Sequence, residues 1–79
     1  SRAYFTRQFR LVTGKSVVEY ITQSRLQKAK VLLLNTKWPV NQISSFVGIS
    51  PDRLRSIFLQ YEQLTPSDFR RQNQSGHET

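Results

Sequence analysis

The sequence predicts an all-α domain, and three observations predict it. Apolar residues recur at helical spacing between recognisable caps. No alternating stretch is bounded by hairpin turn chemistry. One part of the chain repeats another in a fixed register.

Five helices follow from spacing and caps. The first runs from about Arg2 to Val12, with Ser1 as N-cap and Phe5, Phe9 and Val12 on one face; Gly14 ends it. The second begins after Ser16 and continues to about Asn35, its stripe being Val18, Ile21, Arg25, Ala29 and Leu32, flanked by Leu26 and Leu33. The third covers about Val40 to Val47, with Val40, Ile43 and Val47 inward and Pro39 near its start. The fourth follows Ser50, has Pro51 at its first position and uses Leu54, Ile57, Phe58 and Tyr61. The fifth opens at Thr65-Pro66-Ser67-Asp68, a cap, a first-turn proline and an early acid. From Gln72 onward the composition is polar, which predicts a disordered tail over 72–79.

Composition narrows the function. Seventy-nine residues make one small domain with marginal stability. The absence of cysteine excludes a disulfide framework and a thiolate metal site. His77, the single histidine, lies in the polar tail and is assigned neither a metal nor a catalytic role. No apolar run approaches the roughly 20 residues of a membrane span, and no signal-peptide pattern is present. The expectation is a soluble, cytoplasmic domain that needs no cofactor. There is no initiator Met, and Ser1 reads as a cap on a helix already starting, so a piece of a longer protein is expected.

Charge is informative because it is uneven. Twelve Lys and Arg against five Asp and Glu leave +7. Residues 1–30 hold seven basic residues and one acid, Glu19, for a net of +6, whereas residues 31–79 net +1. Such a field attracts polyanions and supplies the salt-dependent part of nucleic-acid affinity. Charge alone also fits a basic surface without a partner, or an anionic membrane.

The repeat has an offset of 49 residues. Ser1 pairs with Ser50, Phe5 with Leu54, Phe9 with Phe58, Ser16 with Thr65, Glu19 with Asp68 and Tyr20 with Phe69. Each copy is a capped helix, a short turn, a second cap and an aromatic anchor. Ahead of the second copy, Val40 to Ser50 reads as a short helix, a turn containing Gly48 and a capped second helix, which is the helix-turn-helix pattern. Ser44 and Ser45 are small enough for the two helices to cross closely, and Gly48 permits the backbone conformation of the turn. The second helix of the chain, at about 20 residues, spans about 30 Å. One turn of B-DNA is about 34 Å, so a rigid helix of that length can hold two reading helices over successive major-groove segments.

These residues resemble the DNA-binding domain of the AraC/XylS family of transcription regulators. The resemblance is carried by Tyr20-Ile21-x-x-x-Arg25-Leu26-x-x-Ala29-x-x-Leu32-Leu33-x-x-Thr36, by Thr65-Pro66-x-x-Phe69-Arg70, and by Ser1-Arg2-x-Tyr4-Phe5-x-Arg7-x-Phe9-Arg10. It covers residues 1–71. It implies two helix-turn-helix units joined by a long linker helix: 1–13 as the reading helix of unit one, 16–35 as the linker, and 40–71 as unit two with the final helix. Unit one lacks its two leading helices. The family implies binding to double-stranded promoter DNA as an activator or repressor, usually with a sensor domain attached, and contact with RNA polymerase in the full-length protein.

Carried over by position, Ala3, Thr6, Arg7 and Arg10 face the major groove from unit one, and Asp52, Arg55, Ser56 and Leu59 do so from unit two. Arg7 is the best base reader, because guanidinium pairs bidentately with guanine O6 and N7. Arg2 and Arg53 are assigned to phosphate. Ser16 and Thr65 begin helices whose free N–H groups can each bind a phosphate. The chain departs from the family pattern at Ile49, where Phe is usual, at Leu59, where a basic residue is common, and at Gln63, which replaces a glycine. It also has one residue fewer before Phe58, and Asp52 adds an acid beside the DNA. These departures weaken the base reading expected of unit two.

The remaining marked residues have structural readings. Phe5, Phe9, Leu54, Phe58 and Phe69 are expected in the core. Trp38 is expected to anchor packing over the linker, and Arg25 to make an ion pair or snorkel. Arg70 and Arg71 are left as solvated or near phosphate. Ser44 and Ser45 have no neighbouring base to activate them as nucleophiles. The competing function is a basic helical module that binds a protein partner or an anionic membrane surface; an enzyme has no nucleophile–base pair or metal cluster to work with. With two helices missing, Phe5 and Phe9 lose packing, so unit one is expected to be loose or to self-associate.

Overall fold

In a computed structural model that describes residues 1–75, all regular structure is helical. The elements are α1 (Arg2–Thr13), α2 (Val17–Asn35), α3 (Val40–Val47), α4 (Pro51–Glu62) and α5 (Pro66–Ser75). The 49-residue register holds at the level of individual hydrogen bonds. Ser1 Oγ accepts the Tyr4 N–H at 3.2 Å and Ser50 Oγ accepts that of Arg53 at 3.2 Å. Ser16 Oγ likewise accepts from Glu19 at 3.1 Å, and Thr65 Oγ1 from Asp68 at 3.1 Å. Each cap satisfies the third orphan N–H of its helix, a contribution of about 1 kcal/mol.

The core lies among α2, α3, α4 and α5. Leu26, Ala29 and Leu33 of α2 meet Ile43 and Val47 of α3, Leu54, Ile57 and Phe58 of α4, and Phe69 of α5, with Ile49 of the turn closing one side. Phe58 is fully buried and meets the Phe69 ring edge-on at 5.4 Å between centroids. Trp38 is half-buried against this core and packs edge-on to Phe46 at 5.5 Å. The inward stripe of α2 is therefore Leu26, Ala29 and Leu33. Val18 and Ile21, expected inward, are exposed; the buried residues of α2 begin only at Leu26.

The turn between α3 and α4 closes by specific backbone bonds. Gly48 sits at φ 81° and donates to Ser45 O at 3.3 Å, while the Ile49 N–H donates to Ser44 O at 3.0 Å. This doubled closure needs a left-handed residue, which glycine adopts without a Cβ clash. Ser44 is fully buried and donates its hydroxyl to Asn41 O at 2.8 Å, so it leaves no polar atom unsatisfied where the helices cross. Ser45, expected beside it, is exposed.

Three basic side chains fasten α2 to the rest. Arg25 donates to Gly48 O at 3.0 Å, tying the linker helix to the turn. It is exposed and its partner is a carbonyl, not the acid or the apolar cover expected from its place on the stripe. Arg70 donates Nε to Leu33 O at 3.1 Å and Nη2 to Thr36 O at 3.3 Å, so it caps the end of α2. The Leu33 carbonyl is one of the last-turn groups that lack an intrahelical donor. Lys30 pairs with Glu62 at 3.1 Å and lies 5.7 Å from the centre of the Phe69 ring.

Two expectations are corrected at the ends of the chain. None of the residues of α1 is buried: Phe5 is 57% and Val12 82% exposed, and Phe9 is half-buried against Tyr20 at 5.3 Å. A helix beside a single neighbour cannot bury a full apolar stripe, and α1 packs on α2. At the other end α5 continues through Gln72, Asn73 and Gln74 to Ser75, where a disordered tail was expected. Asn73 donates to Phe69 O within that extension. The rest of that tail, with His77, lies outside the described residues.

Candidate nucleic-acid interface

On α4 the buried residues Leu54, Ile57 and Phe58 define one side. At about 100° per residue, Asp52, Arg55, Ser56 and Leu59 fall on the opposite side, and all four are exposed. The same spacing puts Ala3, Thr6, Arg7 and Arg10 on one side of α1, again all exposed. The 49-residue register pairs them as Ala3 with Asp52, Thr6 with Arg55, Arg7 with Ser56 and Arg10 with Leu59. The two outward faces thus occupy equivalent positions and carry different chemistry.

The basic residues divide into two groups. Arg25, Lys30, Arg70 and Arg71 are held by intramolecular partners, Arg71 by Asp68. Lys15 donates to Gln23. By contrast, Arg2, Arg7, Lys28, Lys37, Arg53 and Arg55 are exposed and make no side-chain hydrogen bond or ion pair among the described residues. An exposed guanidinium without a partner is available to phosphate or base without first breaking a contact.

Arg10 lies between these groups. Its Nη2 is 4.0 Å from Glu19 Oε1, with both side chains more than half exposed. At that exposure the pair contributes little to stability, at most about 1 kcal/mol. It does place a carboxylate at the edge of the α1 face, beside the arginine assigned to base reading. The sequence held no sign of this contact, since Arg10 and Glu19 belong to different helices joined across the left-handed Gly14 (φ 76°).

The phosphate candidates are placed unequally. Arg2 and Arg53 extend from the first turns of α1 and α4, where N–H groups and helix dipole favour an anion. The hydroxyls of Ser16 and Thr65 are both occupied as helix caps, so what they offer a phosphate is the remaining first-turn N–H groups. At Thr65 that offer is smaller, because Pro66 has no N–H; both starts carry a first-turn carboxylate, Glu19 after Ser16 and Asp68 after Thr65. Arg70 is committed to the end of α2, whereas Arg71 pairs with Asp68 on the surface, its side chain 74% exposed. Lys28 and Lys37 are exposed cations that the sequence reading did not single out.

Among the described residues no cluster of three or more His, Cys, Asp or Glu could hold a metal ion. No helix among them is long and apolar enough to cross a membrane.

Known proteins share this arrangement. A helix-turn-helix domain family model matches residues 1–72. The Msm operon regulatory protein of Streptococcus mutans serotype c is 38% identical over 76 residues, covering 95% of this chain and 27% of that protein. The regulatory protein SoxS of Salmonella typhimurium is 38% identical over 71 residues, covering 89% of this chain and 66% of that protein. The chain therefore spans less than two thirds of either relative. Among solved structures, the DNA-binding domain of AdpA, a global transcriptional factor captured with a target DNA, superposes over 100% of this chain and 72% of its own. The TM-score is 0.95 at 26% identity. The C-terminal domain of the response regulator yesN from Fusobacterium nucleatum gives a TM-score of 0.82 at 32% identity, over 89% of this chain and 69% of its own. With its fold, its repeated capped helices and its matched span in agreement, the chain belongs to the helix-turn-helix domain family of AraC/XylS-type transcription regulators.

Proposed function

We propose that this chain binds double-stranded DNA sequence-specifically as the DNA-binding part of a bacterial, cytoplasmic transcription regulator, with α1 and α4 entering successive major-groove segments. The observation that carries the reading is the pair of equivalent outward faces, held on one continuous helix, α2, of 19 residues. That helix spans about 28 Å, close to one turn of B-DNA at about 34 Å. The AdpA domain, which has the same fold, was solved on its target DNA.

In this reading Ala3, Thr6, Arg7 and Arg10 of α1, and Asp52, Arg55 and Ser56 of α4, meet base edges. Arg2, Arg53 and the helix starts at Ser16 and Thr65 meet phosphates. Arg7 is the principal reader, being exposed and without an intramolecular partner. Selection from a random duplex library, followed by anisotropy titration of the enriched site against its shuffled sequence, tests the proposal. Affinity is expected to fall steeply with salt, and Arg7→Ala to weaken the enriched site roughly tenfold. Equal affinity for enriched and shuffled DNA refutes specific reading, and binding to anionic vesicles that survives Arg7→Ala favours the membrane alternative. RNA polymerase contact and self-association are finer parts of the proposal, read by co-purification with the polymerase and by sedimentation.

A further inference from the structure

We infer that unit two reads a thymine through its C5-methyl group, and that Leu59 makes the contact. The inference rests on the DNA-binding proposal and adds which base the second unit selects.

Leu59 sits on the outward side of α4, one turn beyond Arg55 and opposite the buried Leu54, Ile57 and Phe58. It is 45% exposed, the one large apolar side chain on a face otherwise made of Asp52, Arg55 and Ser56. Nothing in the packing requires it there: the core residues of α4 are Leu54, Ile57 and Phe58, and Leu59 is not among them. In the repeat it occupies the position that Arg10 holds in unit one.

A leucine at a groove-facing position has restricted chemistry. It donates and accepts no hydrogen bond, so laid against guanine, adenine or cytosine it desolvates a polar edge and returns nothing. Thymine is the base whose major-groove edge carries an apolar group, the C5-methyl. Leu59 therefore both favours thymine and disfavours the alternatives. The two units then differ: unit one, with Arg7 and Arg10, is matched to acceptor-rich guanine, while unit two sets a methyl contact from Leu59 beside its single base-facing arginine, Arg55.

The probe is the duplex enriched from the random library, with each thymine in turn replaced by deoxyuridine, which removes the methyl and leaves base pairing intact. Wild-type protein is expected to lose about fourfold in affinity at one position in the half of the site bound by unit two, the value of one methyl-sized apolar contact at about 0.8 kcal/mol. Leu59→Ala is expected to fold normally, since the position is exposed, and to bind thymine and deoxyuridine duplexes equally there. Leu59→Arg is expected to shift the preferred base at that position from thymine to guanine. An enriched site with no deoxyuridine-sensitive position, or a sensitivity undiminished in Leu59→Ala, overturns the inference while leaving DNA binding intact. Failure to enrich any sequence overturns the DNA-reading proposal and this inference together.

Discussion

Gln63 ends α4 in the left-handed region, at φ 59° and ψ 24°, and is the one residue other than glycine with positive φ among those described. A side chain held there costs about 1 kcal/mol, because its Cβ approaches the following carbonyl. Replacement by glycine removes that clash. Against this, glycine makes the unfolded chain more flexible, which offsets about 0.5 kcal/mol. The Gln63 amide also donates to Gln60 O, at 3.3 Å and in an exposed setting, so its loss matters little. Gln63→Gly is therefore expected to stabilise the fold by about 0.5 kcal/mol, a rise in Tm of about 3 °C for a domain of this size. Thermal melts followed by circular dichroism read the change. Gln63→Ala separates the two contributions: it keeps the clash and loses only the amide bond, so its Tm should stay close to wild type. Gly48→Ala supplies the opposite sign. It puts a side chain at φ 81° and should cost at least about 1 kcal/mol. A Tm for Gln63→Gly at or below that of Gln63→Ala would show that the left-handed geometry carries no strain at this turn, and the reasoning would be wrong.

Other substitutions separate fastening from reading. Arg70→Met keeps the side-chain stem and removes two charge-assisted bonds to the end of α2, so urea unfolding should show a loss of about 2 kcal/mol. Glu19→Gln removes the carboxylate 4.0 Å from Arg10 and should tighten DNA binding several-fold at low salt, with the gain shrinking as salt rises; unchanged affinity would remove Arg10 from the binding face. Phe58→Ala, at a fully buried ring, should cost about 3–5 kcal/mol and leave the chain largely unfolded. Phe5→Ala, at a ring 57% exposed, should cost less than about 1 kcal/mol by the same denaturant assay.

Much of this architecture was written in local signals. Ser1, Ser16, Ser50 and Thr65 announce four helix starts, and each makes the cap bond that its residue type anticipates. Gly48 and the apolar spacing of Ile43, Val47, Leu54 and Phe58 were equally local, because period and turn chemistry are properties of neighbouring residues. What sequence did not yield was long-range. Arg25 finds Gly48 across 23 residues and Arg70 finds Leu33 across 37, and no spacing rule selects a carbonyl as partner for an arginine. The inward side of α2 was misjudged for a related reason. Val18 and Ile21 are apolar and correctly spaced, but burial depends on which neighbours lie alongside, and that belongs to the tertiary arrangement. Polar composition predicts disorder from Gln72, yet at the start of that stretch Asn73 bonds back to Phe69 O one turn earlier and the helix runs on.

The continuity of α2 has a consequence for how such a molecule can change. Both outward faces are referenced to one helical rod, α1 through the packing of Phe9 on Tyr20 near its start and α4 through the core around Leu26, Ala29 and Leu33. One residue inserted between them would advance α1 by about 1.5 Å and also rotate it by about 100° about the rod axis. Translation that small is absorbed by DNA and side chains; rotation that large points the first face away from the duplex. Length along this helix is thus coupled to torsional phase, and the separation of the two units can be altered only in near-whole turns. The rod works less as a spacer than as an index that sets the angle between two readers.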